Sequence, residues 1–325
     1  MDGKRRKYTG YILGAEEGTN PGGYNVHINM QWGQAQMNGI MIQGTSSGAG
    51  KTFIVTGLCR LLSDKGLHVC PFKSQNMSNN SALTPDGLEM AAAQYLQAKA
   101  ARLTPEAFMN PILLKPQNDR SSQIILNGKI YADSNPDYRK FTQTAGIMAV
   151  RQALAHIAGN FEAVIIEGAG SPAEVNLNHS EIVNMRIARE ADVPVILVAD
   201  VDRGGALAAV AGTLALLGDD RERVKGIIFN MFRGDIGLFA DAVRWTENYT
   251  GVRVLGVVPF VKGVRIPEED SLIRRGAENQ SGHESITPAG LDSAFDEIAR
   301  VLSDSLDVGY ILRLIHREGT TPQQM

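Results

Sequence analysis

Cysteine is almost absent from this chain. Cys59 and Cys70, the two among 325 residues, cannot build a disulfide framework or a four-cysteine zinc site. Long apolar runs are missing as well. The longest, Ala206 to Leu217, falls short of the roughly 20 residues that a bilayer span needs, and Gly212 and Thr213 interrupt it. A buried helix is the expectation there. The basic cluster Lys4 to Lys7 is followed only by Tyr11, Ile12 and Leu13 before Gly14 and two glutamates. A secretory leader would need an apolar stretch of about 7–15 residues at that point. Charge of either sign is balanced: 32 Lys+Arg against 35 Asp+Glu leave a formal −3, which gives no drive toward nucleic acid or an anionic membrane. Trp32 and Trp245 form no stacking motif with basic neighbours, so single-strand nucleic-acid binding has no support. His27, His68, His156, His179, His283 and His316 show no metal-ligand spacing. The expectation is a soluble cytoplasmic protein with neither nucleic acid nor membrane as a partner.

What is present is the composition of a globular chain, 43% hydrophobic and 21% charged, enough to bury a core. Residues 1–37 are rich in Gly, Asn and Gln without period 2 or 3.6, and read as a poorly ordered extension. Six short apolar runs follow, starting at Gly39, His68, Ala163, Val193, Gly226 and Val252. Runs of this length that do not alternate are strands buried on both faces. The stretches between them, such as Phe53–Leu62 and Met90–Ala101, carry helical spacing. Alternating units of this kind predict an α/β fold, a doubly wound and mostly parallel sheet, over 38–275. A polar linker is expected over 276–290. An amphipathic helical tail is expected over 291–325, with Leu291, Phe295, Ile298, Leu302 and Leu306 on one face.

The strongest motif is G-T-S-S-G-A-G-K-T: Gly44, Thr45, Ser46, Ser47, Gly48, Ala49, Gly50, Lys51 and Thr52. It lies directly after the first strand and opens a helix, the setting that a phosphate-binding loop requires. Glycines let backbone N–H groups face a phosphate, Lys51 would reach the outer phosphates, and the Thr52 hydroxyl would ligate Mg²⁺. Lys51 is expected to face solvent in the empty loop. Thr45 stands where the usual pattern has its first glycine, and Ser46 stands where partitioning-type ATPases carry a second lysine. A nucleotide-sandwich dimer is therefore disfavoured.

Polar residues gather beyond the carboxyl ends of the other strands, where open α/β sheets bind ligands. The second run leads into Lys73, Ser74, Gln75 and Asn76, the third into Glu167, the fourth into Asp200 and Asp202, and the fifth into Asn230. A carboxylate at the end of an apolar strand, as Glu167 is, suits a second Mg²⁺ ligand.

Several segments together are specific. PFKSQNMSNNS (71–81), MNPILLKP (109–116), IIEGAGSPAEVNL (165–177), EIVNM (181–185), VADVDRGG (198–205), NMFRGD (230–235), GVVPF (256–260) and PEEDS (267–271) run in one order. In them the chain resembles the ATP-dependent synthetase domain of the cobyric acid synthase family, which shares its P-loop topology with dethiobiotin synthetase. The resemblance implies ATP and Mg²⁺ as cofactors and a corrinoid substrate, cobyrinic acid a,c-diamide, whose peripheral carboxylates are amidated through acyl phosphates. It implies catalytic roles for Lys51, Lys73 and Glu167, an adenine contact for Asn230, and a corrin side lined by Gln75, Asn76, Ser171, Pro172, Ala173, Glu174, Asn176 and Asp202. Members of the family also carry a glutaminase domain with a nucleophilic cysteine. Too few residues follow Ser271 for one, and Cys59 and Cys70 lie upstream, so ammonia is expected free or from a separate glutaminase subunit. Two alternatives remain open from the residues: a dethiobiotin-type carboxylase, and a nucleotide-binding interaction protein that has kept the loop without the ligase activity.

Overall fold

The computed structural model describes residues 37–118, 121–132, 137–174, 181–262 and 288–318. Asn176, most of the expected extension and most of the expected linker lie outside them. The first half of the chain forms β1 (Gly39–Gly44), α1 (Lys51–Asp64), β2 (Val69–Phe72), β3 (Gln75–Met77), β4 (Ser81–Leu83), β5 (Glu89–Ala91) and α2 (Ala92–Ala100). It continues with β6 (Ile112–Asn118), β7 (Ser121–Leu126), β8 (Lys129–Ala132), α3 (Tyr138–Gln143) and α4 (Ala145–Asn160). The second half forms β9 (Ala163–Glu167), α5 (Met185–Glu190), β10 (Val195–Asp200), α6 (Ala206–Leu216), β11 (Val224–Phe232) and α7 (Ala240–Thr250). Then come β12 (Val254–Pro259), α8 (Pro288–Ser305) and α9 (Val308–His316).

The six apolar runs become the six strands of one sheet, in the order β12-β11-β10-β1-β9-β2, with every neighbouring pair parallel. Strand side chains alternate between faces, and here both faces are covered. In β1, Ile40 and Ile42 join the cluster that contains Ile54 and Leu58 of α1, Leu302 of α8 and Ile311 of α9. Met41 points the other way, into the cluster of Val150 from α4, Ile187 from α5 and Val210 from α6. This is the expected doubly wound fold.

Three features differ from the sequence reading or were absent from it. The stretch from Ala206 does form a helix, but only Ala206, Val210, Thr213 and Leu214 of α6 are buried, while Leu216 is 55% exposed. Alanine and glycine on its outer side make the sequence look uniformly apolar although one stripe alone meets the sheet. A second sheet, β3-β6-β7-β8, stands beside the first, with β3 and β6 parallel and the other pairs antiparallel. Its β7–β8 hairpin turns on Asn127-Gly128, both at positive φ, the type I′ pair that matches strand twist. Finally, the C-terminal helices belong to the same core as the sheet. Ile298 and Leu302 lie over Gly57 of α1, where a Cβ would come within 2.5 Å of each. Arg60, buried in α1, pairs with Asp296 at 2.7 Å and Asp292 at 3.3 Å. An isolated bridge between Gly256 and Leu306 ties this helical pair to β12. Among the described residues, no helix is long and apolar enough to cross a membrane.

Leu302 is fully buried in this packing, so truncating it leaves a cavity. Leu302→Ala is expected to lower the unfolding free energy by about 2–5 kcal/mol, read from chemical denaturation. A change near zero would mean that α8 does not pack on α1 in solution.

Candidate nucleotide site

The loop from Thr45 to Gly50 joins the end of β1 to the start of α1, so its backbone N–H groups and the helix N-terminus point the same way. Two neighbours hold it. The Thr45 N–H donates to the Val198 carbonyl of β10 at 2.9 Å, and the Asn230 side-chain amide donates to the Ala49 carbonyl at 3.0 Å. Gly50 has φ +86°, and a Cβ there would stand 2.1 Å from Asn230 Nδ2. Glycine is needed at that position for both reasons.

Lys51 does not extend into solvent. It is 6% exposed, and its ammonium folds back to donate to the Ser46 carbonyl at 3.3 Å and the Gly170 carbonyl at 3.1 Å. The expectation of a free lysine fails because the loop after β9 passes beside the phosphate loop and supplies an acceptor. Asn184 holds that neighbouring loop through both atoms of its side-chain amide. It donates to the Ala169 carbonyl at 2.6 Å and accepts from the Ala169 N–H at 3.1 Å.

The chemistry centres on Glu167. In parallel register, Phe72 of β2 pairs with Ile166 of β9, so the next residues along, Lys73 and Glu167, emerge side by side. Both are 1% exposed, and they form an ion pair at 2.9 Å. Thr52 in the first turn of α1 donates to the same carboxylate oxygen, Oε1, at 3.0 Å. The other oxygen, Oε2, accepts from Gln97 at 2.5 Å and Gln94 at 3.5 Å, both from α2. Burial by itself would raise the Glu167 pKa. The Lys73 ammonium, with help from the Gln97 N–H and from Lys51, more than offsets this and holds the carboxyl below its usual range. One carboxylate among two ammonium groups leaves surplus positive charge beneath the loop, which suits a polyanion.

The remaining expected residues separate into groups. Ser171, Pro172, Ala173 and Glu174 form a turn directly after Gly170, where the Ser171 hydroxyl accepts from the Ala173 N–H at 3.2 Å. Gln75 is half-buried and accepts from the Tyr138 hydroxyl at 2.6 Å. Asn76, expected on the substrate side, is 1% exposed and gives its amide to Gln94 at 2.6 Å, so it supports α2 from within. Asp202 is exposed at the tip of β10 and pairs with Arg233 at 2.8 Å, whose guanidinium lies 3.4 Å from the Phe260 ring centroid. Gln94, Gln97 and Asn184 received no role from the sequence. Their only signal was position: two glutamines three apart in an alanine-rich helix, and an asparagine inside EIVNM.

A parallel α/β sheet whose first strand runs through a glycine-rich Gly-Lys-Thr loop into a helix, with lysine and carboxylate partners at its carboxyl edge, defines a phosphate-loop nucleotide-binding domain. The family model described as the CobQ/CobB/MinD/ParA nucleotide binding domain matches residues 40–273. The chain belongs to that family. Over 238 residues it is 52% identical to a cobyric acid synthase of Chlorobium phaeobacteroides (strain BS1), covering 73% of this chain and 48% of that protein. A cobyric acid synthase of Aliivibrio fischeri (strain ATCC 700601 / ES114) is 50% identical over 238 residues, 72% of this chain and 47% of that protein. One from Geobacillus kaustophilus (strain HTA426) is 49% identical over 253 residues, 77% of this chain and 50% of that protein. The chain thus spans about half the length of the curated relatives it matches.

Replacing Gly50 tests the loop directly. Gly50→Ala forces a Cβ against Asn230 and imposes backbone strain of about 1–3 kcal/mol. The Kd for a fluorescent nucleotide should therefore rise about tenfold or more. An unchanged Kd by fluorescence titration would contradict the assignment.

Proposed function

We propose that this chain is an ATP- and Mg²⁺-dependent ligase that amidates peripheral carboxylates of cobyrinic acid a,c-diamide. The observation that carries the proposal is the meeting of Thr52 and Lys73 on the Glu167 carboxylate, with Lys51 of the phosphate loop near enough to act on its charge, in a chain about half identical over 238 residues to named cobyric acid synthases.

A carboxylate resists attack by ammonia because its leaving group would be oxide. Transfer of the γ-phosphoryl group of ATP to a carboxylate oxygen gives an acyl phosphate and ADP. Ammonia then adds to the carbonyl carbon, the C–O bond to phosphate breaks, and the nitrogen loses a proton to leave the amide. Phosphoryl transfer of this kind needs alignment and charge neutralisation more than covalent help. Lys51 binds the outer phosphates once it exchanges the carbonyls of Ser46 and Gly170 for them. Lys73 stabilises charge on the transferring group or on the incoming carboxylate. Asn230, which already supports the loop through Ala49, meets adenine. The Ser171–Glu174 turn and Gln75 face the substrate.

Thr52 Oγ1 and Glu167 Oε1 stand 3.0 Å apart. One hydroxyl and one carboxylate, with phosphate and water completing the set, are the hard oxygen donors that Mg²⁺ takes in nucleotide sites. These two residues would hold Mg²⁺, which when bound supplies neutralisation of phosphate charge.

The two cysteines bear on whether this chain can itself release ammonia from glutamine. Cys59 and Cys70 are fully buried, and burial pushes both thiols well above their ordinary pKa, so neither serves as a glutaminase nucleophile. The purified chain should release no glutamate from glutamine in a coupled assay, and glutamate formation would overturn that reading.

The direct test is mass spectrometry of cobyrinic acid a,c-diamide incubated with the protein, ATP, Mg²⁺ and ammonium. Each amidation exchanges a hydroxyl for an amino group and lowers the mass accordingly; an unchanged corrinoid would sink the proposal. Lys51→Ala should reduce this turnover by about a hundred- to a thousand-fold or more. Loss of its two hydrogen bonds to Ser46 and Gly170 should also cost about 1 kcal/mol or somewhat more of stability. Amide formation at the wild-type rate would remove Lys51 from the mechanism.

A further inference from the structure

Behind Glu167 lies a buried file of side-chain amides, of which the motifs gave a role to Asn76 alone, and a different one, on the substrate side. Asn76 lies on β3, and Gln94 and Gln97 stand three residues apart on α2, so the two glutamines share one helix face. Both glutamines are 0% exposed and Asn76 is 1% exposed. Every link passes an N–H toward the carboxylate. Asn76 donates to Gln94 Oε1 at 2.6 Å, Gln94 donates to Gln97 Oε1 at 3.5 Å, and Gln97 donates to Glu167 Oε2 at 2.5 Å. Gln94 also reaches Glu167 Oε2 at 3.5 Å. At the far end, Asn76 Oδ1 has no hydrogen-bond partner among the described residues, so the chain of amides is open there and points one way.

Burying three carboxamides is costly unless their polarity is used. Here it is spent on one oxygen of one carboxylate. Amides in file polarise one another, so the last N–H is a stronger donor than an isolated glutamine would be. With Oε2 occupied, Glu167 presents Oε1 alone to Thr52 and Lys73. The donors are also neutral. A third cation at Gln97 would compete with Mg²⁺ for the carboxylate, and a carboxylate there would cancel the surplus positive charge that Lys51 and Lys73 hold for the phosphates.

We infer that Gln97, aligned by Gln94 and Asn76, is a positioning residue that fixes the Glu167 carboxylate so that a single oxygen receives the nucleotide-bound Mg²⁺. The inference rests on Thr52 and Glu167 as the Mg²⁺ ligands but not on the amidation chemistry. Its test therefore measures binding and not turnover.

The full chain, as wild type and as Gln97→Met, is titrated with a fluorescent, non-hydrolysable ATP analogue across a range of Mg²⁺ concentrations, including none. Methionine keeps the length of the side chain and removes the donor. The Mg²⁺ concentration that half-maximally tightens analogue binding should rise about 10–100-fold, the usual cost of removing a group that orients a metal ligand. Affinity without Mg²⁺ should stay within about twofold of wild type, since the loop itself is untouched. A role confined to structure would weaken binding equally with and without Mg²⁺, and that outcome overturns the inference. So does an unchanged Mg²⁺ dependence. If Gln97→Met fails to fold, Gln94→Met replaces it. That variant removes the longer contact and the support of Gln97, and should shift the Mg²⁺ midpoint in the same direction by a smaller factor. No shift there also overturns the inference. A wild-type chain whose nucleotide binding ignores Mg²⁺ would sink the ligand assignment and the positioning role together.

Discussion

A carboxylate that is 1% exposed has lost nearly all its hydration, and Glu167 recovers what it lost from groups contributed by three separate elements. Lys73 comes from the end of β2, Thr52 from the first turn of α1, and Gln94 and Gln97 from α2. Lys51 lies close enough to add to the electrostatic balance. Removing any one partner would leave a buried charge short of compensation, which is far more costly than losing a surface ion pair. The carboxylate thus constrains where each of those elements can sit.

The fold supplies this arrangement through register. Parallel pairing of β2 with β9 sets Lys73 beside Glu167, and pairing of β9 with β1 brings the phosphate loop alongside. Helix α1, which carries Lys51 and Thr52 at its start, is pressed on the sheet by α8 from the far end of the chain. Arg60 and the apolar contacts over Gly57 fasten the two helices. The C-terminal helices are therefore part of what holds the nucleotide loop in place, although they lie outside the stretch matched by the family model.

Much of this could be read from the residues. Strands buried on both faces leave uninterrupted apolar runs, and all six such runs proved to be the strands of the main sheet. The loop was legible because Gly-Lys-Thr, a preceding strand and a following helix coincide. The second sheet was not seen, since β3 has three residues and no alternation to show. Its turn signal, Asn127-Gly128, stood in the sequence nonetheless, as did the Pro85-Asp86-Gly87 of the separate two-stranded β4–β5 hairpin. The glutamines of α2 could not have been found by pattern. Gln97 meets a carboxylate 70 positions away, and a glutamine in an alanine-rich helix becomes chemical only through that encounter. Lys51 was misjudged for the same reason: its acceptor on Gly170 lies 119 positions along the chain.

In the proposed reaction the lysines and the Glu167 cluster direct the γ-phosphoryl group of ATP onto an oxygen of the substrate carboxylate. An isotope-transfer experiment addresses it most directly. Cobyrinic acid a,c-diamide with its carboxylate oxygens labelled by a heavy oxygen isotope is incubated with the protein, ATP, Mg²⁺ and ammonium, and the released phosphate is examined by mass spectrometry. An acyl phosphate intermediate requires one labelled oxygen in the phosphate for each amide formed. Amide formation with unlabelled phosphate would contradict the account.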